Sequence, residues 1–99
     1  MPAYLVETFL ARGDAAARAG LVRGARSAAR RLRQGETQVL FQGAIYVPGD
    51  ETCFFLFDAP SARDATLAAT HAELDPVRVV EAILFGRERE RDEAEVEVG

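Results

Sequence analysis

From Ala3 to Phe9 the chain alternates Tyr4, Val6 and Thr8 with Leu5, Glu7 and Phe9, a period of two that predicts a strand. Gly13-Asp14 breaks that period, and Asp14 is placed to cap a helix. Leu21, Ala25, Ala28 and Leu32 then recur at helical spacing, so the Ala- and Arg-rich stretch through Gln34 predicts a helix with one apolar stripe, closed by Gly35. Gly20 and Gly24 weaken this helix, so each predicts either close packing or fraying. Period two returns from about Glu36 to Val47, with Gly43 as a bulge point, and Pro48-Gly49-Asp50 supplies turn chemistry. Thr52 to Phe57 is apolar on both parities, with Cys53, Phe55 and Phe57 facing one way and Phe54 and Leu56 the other. Ser61 with Asp64 forms a capping pattern for an Ala-rich helix over about 62–72, and Val77 to Phe85 reads as a last strand.

The element order is therefore β-α-β-β-α-β. Right-handed crossovers place both helices on one face of a four-stranded antiparallel sheet, with the first and third strands central. This is an α+β class fold, a ferredoxin-like βαββαβ plait over residues 3–85. The third strand is apolar on both sides, as a central strand must be if both its faces are covered. The helices bury one set of side chains. The cheapest cover for the other is a second copy of the same sheet, which predicts a homodimer of the dimeric α+β-barrel type.

Composition narrows the class further. Acids outnumber bases 16 to 12, giving a net charge of −4, and this excludes a generally basic nucleic-acid binder. No apolar run approaches the ~18–20 residues that span a bilayer, and the opening residues lack a basic signal-peptide region, so no membrane role is expected. Cys53 stands alone, which excludes an internal disulfide and fits a reducing cytoplasm. Residues 86–99 hold three Arg and six acids and read as a charged, flexible tail. Residues 12–33 hold seven Arg against one acid, a patch suited to the acidic tail, to an acidic partner, or simply to solvent; nucleic acid is the weakest of its readings.

Four segments together resemble one family: Tyr4-Leu5-Val6-Glu7, the hairpin Val47-Pro48-Gly49-Asp50-Glu51-Thr52-Cys53-Phe54, Leu56-Phe57-Asp58-Ala59-Pro60-Ser61, and Arg78-Val79-Val80-Glu81-Ala82. They are similar to a bacterial domain-of-unknown-function family whose members are commonly described as small nickel-binding proteins. The resemblance covers residues 3–85 and implies a ferredoxin-like fold, dimers and nickel binding. In this chain Glu73-Leu74-Asp75-Pro76 stands where the family usually has a Gly-Leu-Pro-like stretch. Phe55 stands where a second cysteine is often seen.

Two constellations could carry chemistry. His71 is the only histidine, and the plait places it at the sheet edge that gathers Asp50, Glu51, Asp75, Asp14 and Glu73. One imidazole with several carboxylates suits a divalent ion, although no His-x-x-x-His or Cys-x-x-Cys spacing occurs. Glu7 and Glu81 form the second set, on adjacent antiparallel strands. If they share a face, their carboxylates approach each other over the cavity between subunits, with Gln38, Gln42 or an ion as partner. Otherwise they lie exposed or pair with Arg78. Cys53 within CFFLF reads as a small core residue ahead of a ligand or reactive thiol. The leading expectation is a dimeric, non-enzymatic protein that binds a divalent metal, nickel by resemblance. The alternative is an α+β-barrel enzyme or small-molecule binder, with Glu7 or Glu81 as general base if it is an enzyme.

Overall fold

A computed structural model describes residues 1–86, and the predicted tail beyond Gly86 lies outside the described residues. The chain runs β1 (Ala3–Phe9), α1 (Ala15–Gln34), β2 (Leu40–Val47), β3 (Thr52–Asp58), α2 (Ala62–His71) and β4 (Pro76–Ala82), with a single 3₁₀ turn at Pro48–Asp50. The sheet is antiparallel in the order β2-β3-β1-β4, so β1 and β3 are central as expected. This is the ferredoxin-like α+β plait.

Parity along the strands decides what is buried. Tyr4, Val6 and Thr8 of β1 and Cys53, Phe55 and Phe57 of β3 face the helices and are buried. Cross-strand pairs such as Val6 with Phe55 stack these rows directly opposite each other. The helices meet them mainly through alanine: Ala25, Ala28 and Ala29 of α1 and Ala65, Ala68 and Ala69 of α2 are all buried. At Gly24 an added Cβ would come to 3.5 Å from the Ala72 carbonyl at the end of α2, an ordinary contact distance, so the packing there does not itself demand glycine. Thr8, the one buried polar side chain among the described residues, donates its hydroxyl to the Asp75 carbonyl at 3.1 Å.

Several boundaries differ from expectation. Gly35 does not take the left-handed conformation; Glu36 does (φ 73°), and the Thr37 N–H reaches back to the Leu32 carbonyl at 2.8 Å. That closing pattern turns the chain so that Glu36–Val39 lie outside the ladder, and Leu40 is the first β2 residue to pair, opposite the last residue of β3. Glu73 (φ 60°) ends α2 in the same way. Gly43 marks the expected bulge in β2, at φ 147° with a register shift between Phe41 and Gly43. At the hairpin the left-handed residue is Glu51 (φ 50°) instead of Gly49. The last strand stops at Ala82, because its partner Ala3 is the first residue of β1; Ile83, Leu84 and Phe85 leave the sheet with their side chains exposed. Among the described residues no helix is long and apolar enough to cross a membrane.

Candidate functional site

The face of the sheet turned away from the helices is open. Leu5, Phe54, Leu56 and Val80 stand on its central part, and Ile45 beside them is 65% exposed. Leaving such a contiguous apolar face in water is costly on a small domain. Its relief is a groove of about 360 Å³ lined by Leu5, Ile45, Phe54, Leu56 and Leu84, with Gln42 as its amide-bearing wall. Leu84 reaches this groove because the chain turns across the sheet once β4 runs out of partners.

The two carboxylates expected to meet over this face do not meet. Glu7 stands opposite Arg78, whereas Glu81 stands opposite Tyr4, a residue buried on the helix side. Directly opposed residues share a face, so Glu7 projects onto the open face and Glu81 projects to the other. Glu7 is instead paired with Arg78, whose Nε donates to Glu7 Oε1 at 2.8 Å. Both partners keep contact with solvent, so the pair contributes at most about 1 kcal/mol. Gln42 does not serve Glu7 or Glu81 either; its amide donates to the Asp58 carboxylate.

The edge set is dispersed as well. Asp50 and Glu51 are brought to the end of β1 as expected: the Leu10 N–H donates to the Glu51 carbonyl at 2.8 Å, and the Arg12 N–H donates to Glu51 Oε2 at 2.9 Å. Glu51 is thereby committed to the chain segment that follows β1. His71 is exposed in the last turn of α2, Glu73 is the residue that terminates that helix, and Asp75 is exposed with its carbonyl holding Thr8. Asp14 precedes α1 without a side-chain cap bond. Among the described residues no three His, Cys, Asp or Glu side chains converge on a point where an ion could sit. Among the described residues this donor set is too dispersed to fit a metal centre.

Cys53 is a core residue. Burial pushes its thiol above the ordinary value of 9.0, and the nearby Arg18 guanidinium opposes this less strongly. A thiol held neutral is a poor nucleophile and a poor ligand. On α1, Arg18 lies over the Tyr46 ring at 5.2 Å, Arg26 over Phe41 at 5.9 Å, and Arg33 Nη1 donates to the Val39 carbonyl at 2.7 Å. These arginines lie on the helix-facing side of β2 and of the Val39 segment that leads into it.

The architecture is similar to that of a solved structure. That structure is of the Streptomyces coelicolor A3(2) protein SCO4226, at a TM-score of 0.61 and 20% identity over 83% of this chain and 96% of that one. At that identity the likeness concerns the fold. No family model matches the chain, and no curated protein matches it. Leu84 as a wall of the groove escaped the sequence reading, which placed it in the last strand. The signal was the run Ile83-Leu84-Phe85, three apolar residues without the alternation of a half-buried strand.

Proposed function

We propose that this chain is a soluble, cytoplasmic, non-enzymatic binding protein that works as a homodimer and holds a small, largely apolar molecule between two opposed sheet faces. The observation that carries this reading is the open apolar face with its groove. The volume of about 360 Å³ lies at the lower end of the range of small-molecule pockets, and the lining is aliphatic and aromatic with one amide for orientation. A second copy placed face to face would close the groove and remove Leu56 and Ile45 from water. Binding is favoured over catalysis because the carboxylates on this face are already engaged, Glu7 by Arg78 and Asp58 by the Gln42 amide. The test is light scattering with ligand-detected titration of an apolar fluorophore. The parent is expected at twice the chain mass with saturable binding, and Phe54→Asp is expected as a folded monomer without binding. A parent that is monomeric at micromolar concentration overturns the reading.

Divalent-metal binding, with nickel the ion implied by the family resemblance, is the second reading. What supports it is the likeness of the hairpin segment 47–61. Such a site would be completed across the dimer, since one protomer's described residues bring no three donors together.

A further inference from the structure

The outer edge of β2 is the least finished part of the fold. β2 is terminal in the sheet, so along Leu40–Val47 every second backbone N–H and C=O is left without a strand partner among the described residues. Natural edges are blunted by charges, prolines or bulges; LFQGAIYV carries no charge and no proline, and its one such device is the bulge at Gly43. Above this edge, on the helix side, runs the row Arg18, Arg26 and Arg33. No acid among the described residues forms an ion pair with any of them, the one ion pair being Arg78 with Glu7. Below the edge lies the open apolar face beside Ile45. An occupant of this edge therefore needs acids on one side and apolar groups on the other, at a period of two.

The chain itself contains that pattern. Residues 92–98 read DEAEVEV: after Asp92, Glu93, Glu95 and Glu97 share one parity while Ala94, Val96 and Val98 share the other, which has Asp92 at its start, and no base interrupts them. We propose that residues 92–98 add to the outer edge of β2 of the same chain as a fifth strand, with the glutamates beneath the α1 arginines and the valines extending the open face. The lengths agree. Arg18 to Arg33 spans about 22 Å of helix at 1.5 Å per residue, and seven strand residues span about 23 Å. The reach agrees too, because Leu84 already lines the groove with Gln42, Gly43, Ala44 and Ile45, and residues 87–91 add about 17 Å of extended chain. Backbone pairing supplies the binding and alternating side chains supply the specificity, as in strand addition generally.

Hydrogen exchange on the full chain tests this, read on peptides covering β2, β3 and 92–98. In the parent, residues 92–98 are expected to be protected. A chain ending at Arg91 is expected to exchange its β2 amides about tenfold faster, with β3 unchanged as the control for folding. The Glu93→Gln, Glu95→Gln, Glu97→Gln triple variant, which keeps the strand but not the charge, is expected to shift β2 in the same direction, and 1 M NaCl is expected to do so for the parent. Exchange of 92–98 at the rate of an unstructured chain overturns the proposal. So does parent-like β2 exchange in the triple variant. Protection that vanishes on dilution also overturns it, because it assigns the strand to a second copy.

Discussion

Cys53 shows how a single side chain ties the central strand to solution conditions. Its burial favours the neutral thiol, so the folded chain holds the proton to a higher pH than the unfolded chain does. The contribution of this thiol to stability is intact below its ordinary value of 9.0 and is lost as pH rises from there through the folded-state value. Urea midpoints measured from pH 8 to pH 10 are therefore expected to fall more steeply for the parent than for Cys53→Ala. The two proteins differ at this side chain alone, so the difference in slope isolates the thiol; equal slopes would contradict its placement. The same burial predicts slow alkylation of the native protein and rapid alkylation in urea.

At the scale of elements, two glycines make opposite predictions. Gly24 is an interior helical residue, and an added Cβ makes an ordinary 3.5 Å contact with the Ala72 carbonyl. Gly24→Ala is thus expected to stabilise the chain by up to about 1 kcal/mol through helix propensity. Gly43 sits at φ 147°, where a side chain is strained whatever the space, so Gly43→Ala is expected to cost about 1–3 kcal/mol. Chemical denaturation of both variants checks the signs. These two positions also show what could be read beforehand. The bulge at Gly43 and the two-sided β3 were legible, because a bulge point and unbroken apolarity are local signals. The start of β2 was not: Thr37-Gln38-Val39 alternates like a strand, but β3 ends at Asp58, opposite Leu40, and leaves nothing for those residues to pair with. The Glu7–Glu81 site failed for a related reason. Which residues stand opposite each other is set by tertiary register, and Arg78 instead of Glu81 falls opposite Glu7.

For the whole molecule, the two candidate metal sets respond differently to substitution. Glu7 and Glu81 project from opposite faces of the sheet and cannot share an ion within one protomer. His71 is exposed beyond the core, so His71→Ala is expected to retain the fold; under the metal reading alone it lowers Ni²⁺ affinity about tenfold, or about 1.4 kcal/mol. The Glu7→Gln, Glu81→Gln double variant is expected to titrate with Ni²⁺ as the parent does. Calorimetric titration separates the two, and an unchanged isotherm for His71→Ala removes the imidazole from the ligand set.

The alanine layer between helices and sheet has a thermal consequence. The heat capacity gained on unfolding grows with the apolar area newly wetted, about 0.45 cal/K/mol per Å², and alanine wets far less than leucine would at Ala25, Ala28, Ala65 or Ala68. A small increment flattens the curve of stability against temperature. The domain should then gain little from cooling and lose little on moderate warming.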